Sequence, residues 1–326
     1  MSAPDPVVGD LTEGEILARI LGRFPPSRAL LGPGDDAAVL AAPGGRIVAS
    51  VDTLVHGPDF RLAWSSAWDL GWKAAAVNLA DIAAMGARPT ALLVALAMPD
   101  HTPVSFVEGL AEGLRAGCDE LAPGAAVEGG DLTVSDTLTI AMTALGVLDG
   151  AEPVTRSGAR PGDVVAVCGE LGKAAQGLAI LFGRFCVDGR PVPIAPLPGD
   201  DAALVDAQLR PRPPIAAGAR AATHGATAMM DVSDGLALDA GRLARASDVT
   251  LELRTTALGP HPADALAGGE DHALLATFPA AVGPAPGFRV IGSVGVAGED
   301  PVLVDGEPYD GKGGWDPYRD WDTGSG

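Results

Sequence analysis

Apolar residues recur three and four apart at Ile16, Leu17, Ile20 and Leu21, which is the spacing of one helix face. Thr12-Glu13-Gly14-Glu15 stands just ahead of them and fits a capping box, so the chain opens with an amphipathic helix that Pro25-Pro26 closes. Two β-like runs, residues 36–41 and 46–52, flank a Pro43-Gly44-Gly45 turn and predict a hairpin. Residues 66–85 read as a long alanine-rich helix with Gly86 as its C-cap, and residues 90–98 as a buried strand. A helix over 104–121 leads to strands near 125–128 and 137–148. Strands alternating with helices predict an α/β architecture.

The periodicity breaks over residues 149–162, where Asp149-Gly150-Ala151-Glu152-Pro153 and Arg156-Ser157-Gly158-Ala159-Arg160-Pro161-Gly162 replace the apolar runs. A boundary there predicts two domains, 1–150 and 151–326. The second half restarts with a strand over 164–168 and a helix over 171–182. A proline-rich loop (191–199), a helical stretch near 214–223 and strands near 228–231, 249–253, 273–278 and 289–294 follow. Past Gly311 the pattern ends, but Trp315, Tyr318 and Trp321 predict a tail that docks.

Composition narrows the function. With 326 residues, 47% of them apolar, the chain has ample material for a core. Acidic residues outnumber basic ones 42 to 22, a formal charge of −20, so no basic surface is at hand to neutralise a phosphate backbone and nucleic acid is excluded as a partner. The longest apolar runs, such as residues 91–98, fall far short of the ~18 residues of a membrane-spanning helix, and no basic-then-apolar leader opens the chain. The expectation is a soluble cytoplasmic protein with no membrane partner. Cys118, Cys168 and Cys186 are odd in number, widely spaced and set in apolar stretches, which predicts small core residues in a reducing compartment rather than disulfides or zinc ligands.

The placement of the carboxylates changes the picture most. Gly34-Asp35-Asp36, Ser50-Val51-Asp52, Gly129-Gly130-Asp131, Asp231-Val232-Ser233-Asp234-Gly235 and Gly268-Gly269-Glu270-Asp271 set acids beside glycine or at the ends of predicted strands. Any one of them alone reads as a turn. Five beside apolar strands suit magnesium, which takes oxygen ligands and shares one or two carboxylates with substrate phosphates. Asp81 falls inside the apolar helix 66–85, where a carboxylate must be paired or bound to metal. Lys73, two turns earlier, and a metal ion are its two candidate partners. A P-loop, a Rossmann glycine fingerprint, zinc-spaced histidines and a serine nucleophile elbow are all missing from the sequence.

In order and spacing these motifs resemble the thiamine-monophosphate kinase family over nearly the whole chain. The carrying segments are Gly34-Asp35-Asp36, Ser50-Val51-Asp52-Thr53-Leu54-Val55, the run from Lys73 through Asn78 and Asp81 to Ala87, and Gly129-Gly130-Asp131. Arg156-Ser157-Gly158, Asp231-Val232-Ser233-Asp234-Gly235-Leu236 and Gly268-Gly269-Glu270-Asp271 complete them. The resemblance implies the two-domain α/β fold of the aminoimidazole-ribotide-synthetase superfamily. In it the N-terminal domain binds ATP and magnesium and forms a homodimer, while the C-terminal domain closes over nucleotide and substrate. The implied reaction is ATP-dependent phosphorylation of thiamine monophosphate to thiamine diphosphate, assisted by several magnesium ions.

Carried onto this sequence, Asp36, Ser50, Asp52, Asp81, Asp131 and Asp231 match metal-site positions and Asp234 a further ligand, while Val51 stands in place of a threonine and offers only its carbonyl. Gly130, Asp131, Arg156 and Ser233 match nucleotide contacts. Glu270 and Trp315 match positions that touch the thiamine moiety, where an acid and an aromatic suit a cationic ring. Asp59 precedes Phe60 where the family often has a substrate-contacting histidine. Asp52, Asp81, Asp131 and Arg156 are the residues expected to act in catalysis. An acceptor phosphate is already ionised, so the chemistry needs alignment of two polyanions and neutralisation of their charge rather than a strong base, which predicts direct in-line transfer. A synthetase of the same superfamily and a non-catalytic nucleotide- or metal-binding protein are the competing readings.

Overall fold

The computed structural model describes residues 5–27, 29, 40–42 and 44–309. The first capping box forms, with the Glu15 amide donating to Thr12 Oγ1 (3.4 Å) and the Glu15 carboxylate accepting from the Thr12 amide (2.8 Å). Helix α1 (Glu13–Leu21) starts there and stops at Gly22, ahead of the prolines. The same device starts α2 (Ala67–Ala84), where Ser66 and Asp69 exchange bonds of 2.9 and 3.2 Å. Most of α2 is buried on every side, as expected of a helix that is apolar all round.

The first sheet holds β1 (Ile47–Val55), β2 (Arg88–Met98), β3 (Ala126–Val134) and β4 (Thr139–Val147), in the order β1-β4-β2-β3. Helix α3 (Val104–Leu121) is the crossover that joins β2 to its parallel neighbour β3 and packs on α2. The expected hairpin is corrected in part: β1 pairs with β4, residues 40–42 carry no strand, and 36–39 lie outside the described residues. β3 runs six residues further than its β-like run because a bulge at Glu128 carries it through Gly129-Gly130-Asp131. A Cβ on Gly130 would lie 2.3 Å from the Val94 carbonyl oxygen, so that strand pairing admits only glycine.

The second half forms a seven-stranded sheet from β5 (Asp163–Cys168), β8 (Ala228–Val232), β9 (Val249–Leu253), β10 (Ala273–Pro279), β11 (Arg289–Val296), β12 (Val302–Val304) and β13 (Glu307–Pro308). The strand order is β13-β12-β9-β11-β5-β10-β8. A two-residue ribbon, β6 (Cys186–Val187) with β7 (Arg190–Pro191), stands apart. Helices α4 (Lys173–Arg184) and α6 (Ile215–His224) match expectation, while α5 (Gly199–Leu209), α7 (Leu236–Ser247) and α8 (Pro262–Ala267) are additions to it.

The sheets separate between residues 147 and 163, but the main core runs through both. Leu92 and Met142 of the first sheet, Ala217 and Ala221 of α6 and Leu274 and Phe278 of the second sheet belong to one continuous apolar cluster. Helix α2 lies in its middle, touching α3, β1, β4, α6 and β8. A second core fills the other side of the seven-stranded sheet around Leu243, Leu251 and Leu275. No helix among the described residues is long and apolar enough to cross a membrane.

Candidate active site

Four elements meet at the junction of the sheets. Strand alternation sends Ser50 and Asp52 of β1 toward α2, because Asp52 shares its row with Met142, which is 1% exposed beneath the helix. From α2, Asp81 reaches back and accepts a hydrogen bond from Ser50 Oγ (2.6 Å). Asp231, near the end of β8, takes His272 Nδ1 at 3.1 Å, and both side chains are buried. Loop 268–272 supplies the rest.

That loop is pinned residue by residue. Gly269 packs so closely that a Cβ would come within 2.3 Å of the Ser233 carbonyl oxygen. The Glu270 amide donates to that same carbonyl (2.8 Å), and the Glu270 carboxylate forms an ion pair with Lys73 of α2. Asp271 accepts from the Gly172 and Ala174 amides (2.6 and 3.0 Å) at the start of α4. Glu270 and His272 both hold left-handed backbone, φ 71 and 52, a conformation that costs non-glycine residues free energy and gathers at functional sites.

Burial dominates the electrostatics of these carboxylates. Burial and the Asp231 carboxylate push Asp81 up to about 6, against the pull of the Ser50 hydroxyl. Burial also raises Asp52, with Glu270 and Asp231 adding to it, although the residue keeps an exposed surface. Asp59 is raised by burial too, then by Glu270 and Asp52, while it accepts from the Val55 amide (2.7 Å). For Glu270 burial works in the same sense, but Lys73 and His272 outweigh it and hold the group below the usual carboxylate range. Its side chain keeps 41% exposure, so water screens part of that attraction. The candidate pairing of Lys73 with Asp81 is replaced by the Lys73–Glu270 pair, with Lys73 Nζ also donating to the Gln208 carbonyl (3.3 Å).

Asp52, Asp59, Asp81, Asp231 and Glu270 therefore act on one another, and Ser233 lies against the same loop. Other expected site residues stand elsewhere. Thr53, Ala141, Ala95 and Asp131 are successive partners across the four strands. Asp131 thus sits on the sheet face opposite Asp52 and three strand spacings away, about 14 Å. Gly130 is on the far strand with it, and Val51 presents its side chain to that open face at 69% exposure. Asp234 is held by Arg242, which also binds Asp239 (2.6 Å). Arg156 lies exposed in the loop between the sheets, its carbonyl accepting from Ser247 Oγ (2.8 Å). Asp36 and Trp315 lie outside the described residues. His272 had no signal beyond its place next to Gly268-Gly269-Glu270-Asp271, because the spacings of zinc ligands do not describe a histidine that serves a carboxylate.

Residues 34–148 match the family described as "AIR synthase related protein, N-terminal domain". Over 99% of its length the chain is 42% identical to the thiamine-monophosphate kinase of Mycobacterium tuberculosis (strain CDC 1551 / Oshkosh), covering 96% of that protein. The chain belongs to the thiamine-monophosphate kinase family. As a member it is an enzyme, a thiamine-phosphate kinase, with the α/β fold of the aminoimidazole-ribotide-synthetase superfamily. The solved thiamine-monophosphate kinase of Stenotrophomonas maltophilia K279a superposes with a TM-score of 0.75 at 33% identity, over 90% of this chain and 95% of that one. A structure described as "AaThiL complexed with AMPPCP and TMP" superposes with a TM-score of 0.74 at 31% identity, over 92% of this chain and 94% of that one.

Proposed function

We propose that this chain transfers the terminal phosphoryl group of ATP to thiamine monophosphate by in-line displacement at the junction of its two sheets. The observation that carries the reading is the crowd of Asp52, Asp59, Asp81, Asp231 and Glu270, on which Lys73 and His272 act as counter-charges. The donor set fits magnesium, being carboxylate oxygen, with Asp52 and Asp81 raised by burial and then by neighbouring carboxylates. Among the described residues no three His, Cys, Asp or Glu side chains converge closely enough to cage an ion, which suits an ion that keeps waters and phosphate oxygens in its shell. Asp52, Asp81 and Asp231 would hold such ions, with Ser50, the Val51 carbonyl, Asp36 and Asp234 completing the set. When bound, magnesium offsets the repulsion between the two polyanions.

The chain's own residues then position the reactants. Arg156, whose guanidinium has no carboxylate partner among the described residues, and Ser233 serve the nucleotide. Glu270, Asp59 and Trp315 serve the cationic ring of the acceptor. Ser50 orients Asp81 through its hydroxyl, and no side chain has to remove a proton from an acceptor already ionised.

Gly130 and Asp131 enter this scheme through a second copy. The first sheet is covered by α2 on one side, while among the described residues Val51, Ala95 and Thr53 leave the other side open. A cleft of about 940 Å3 runs from that side past β3 to α1 and α3. A homodimer closing the open faces would cover this apolar surface together with the face that carries Asp131. Residues 1–150 would then bind ATP and magnesium and dimerise, and 151–326 would close over nucleotide and substrate. Buried free thiols at Cys118 and Cys168 suit the cytoplasm.

The test is a coupled assay with thiamine monophosphate, ATP and magnesium. Thiamine diphosphate and ADP are expected, and excess chelator should abolish both. Full turnover in chelator would overturn the metal reading. ATP turnover that ignores thiamine monophosphate would favour a synthetase or a different kinase.

A further inference from the structure

His272 is 5% exposed, follows directly on the loop residues that bind Lys73 and α4, and lies in left-handed backbone at φ 52. Its Nδ1 meets Asp231 Oδ2 at 3.1 Å, and its Nε2 is buried with no hydrogen-bond partner among the described residues. Beside a carboxylate, which only accepts, Nδ1 carries the hydrogen. The fold thus tolerates two costs, a strained backbone and an unsatisfied ring nitrogen, at a position where an aliphatic side chain would fill the space without the second. What the imidazole supplies in return is one bond to one carboxylate. The groups facing it are acidic, apart from Lys73: Asp231 and Glu270 act on its charge, and it in turn acts on Asp52 and Asp81.

We infer that His272 is a positioning residue, whose Nδ1–H fixes the rotamer of the Asp231 carboxylate so that its other oxygen is presented to a divalent cation. The assignment rests on the metal reading of Asp231 given above. A carboxylate held by a ring N–H at one oxygen keeps the other for the ion and loses no rotamer freedom on binding it. Outer-shell partners of this kind typically govern metal affinity by 10–100-fold.

Two near-isosteric substitutions separate positioning from packing. His272→Asn keeps an N–H donor near the place of Nδ1 and is tolerated in left-handed backbone, whereas His272→Leu has the same size and no donor. Binding of Mn2+ to the full-length protein is measured by calorimetry in the presence of a non-hydrolysable ATP analogue. His272→Leu should weaken Mn2+ binding 10- to 100-fold, with kcat recovering at high Mg2+, and His272→Asn should stay within about threefold of the parent. Nitrogen NMR of the unsubstituted protein gives a measurement that needs no variant: Nδ1 of His272 should be protonated and Nε2 should differ from it in chemical shift. An unprotonated Nδ1, Mn2+ affinity of His272→Leu equal to the parent's, or His272→Asn as weak as His272→Leu would each overturn the inference. Failure of the parent itself to bind Mn2+ would remove the metal reading and this assignment with it, a result distinct from equal binding by parent and variant.

Discussion

The two sheets meet the same burial problem in different ways. The seven-stranded sheet is finished within the chain: β8 and β10 are buried almost residue for residue, between the core shared with α2 and the core around Leu243. Among the described residues the four-stranded sheet is covered on one face only, and its other face shows Val51 at 69% exposure. Yet the acids that act on one another come from both, Asp52 from the half-covered sheet and Asp231 from the closed one. The closed sheet holds Asp231 through its own packing, whereas the four-stranded sheet carries Asp131 on a face that the described residues leave exposed.

The largest effects should come from cutting the junction. Asp52→Asn and Asp231→Asn, one from each sheet, should each lower turnover by about 100-fold or more while the protein stays folded, because each removes a charge from the site of developing phosphate charge. Loss in one variant and not the other would place the chemistry on a single sheet.

Next come substitutions that contrast the sheets directly. Leu275, fully buried in β10, should cost roughly 2–5 kcal/mol as Leu275→Ala in denaturant melts. Ala95→Arg on the open face should change unfolding by only about 0.5 kcal/mol in the monomer, and light scattering should show the species falling from twice 32.7 kDa to 32.7 kDa. A 32.7 kDa species before substitution would break the comparison from the other side.

Asp81 sharpens it through pH. Its carboxylate sits at about 6 in the folded chain, well above an ordinary aspartate, so the folded state holds an extra proton and stability of the metal-free protein falls as pH rises through about 4 to 6. Asp81→Asn removes that penalty. It should stabilise the metal-free protein at pH 8 by up to about 3 kcal/mol, and by little at pH 4, in parallel melts. The same variant should lose turnover, so a stable and inactive protein is the expected outcome. A variant less stable than its parent at pH 8 would show that Asp81 is paired for structure. The smallest effect is expected from Trp315→Ala, which should raise the KM for thiamine monophosphate about 2- to 30-fold and leave that for ATP unchanged, since a ring beside a cation contributes roughly 0.5–2 kcal/mol. Equal changes in both constants would remove Trp315 from the acceptor site.

Local signals carried far along this chain. Thr12 and Ser66 cap the helices their positions announce, and Val104–Leu121 and Val249–Leu253 end where their apolar periods end. The elements that escaped were those whose local chemistry points the other way. β3 continues through two glycines because a bulge and a close parallel neighbour favour them there. α7 begins directly after Asp234-Gly235, so a turn signal hides the helical spacing of Leu236, Ala240 and Leu243. Among site residues, the acids beside glycine were visible because such pairs recur in order. His272 was not, and Lys73, visible only as a candidate partner of Asp81, pairs with Glu270 instead, since their meaning lies in what they touch.

By itself the sequence determined the alternation of elements, the burial of α2 and the recurring acids beside glycine, because each follows from residue type and spacing along one chain. Only the tertiary structure decided which of those acids meet. Strand order and the two-residue period of the pleat turn Asp52 toward Asp81 and Asp231 and turn Asp131 away, and the packing of loop 268–272 gives Lys73 to Glu270 and His272 to Asp231. Face and partner are properties of pairing between distant segments, and no local pattern of apolar and polar residues encodes them.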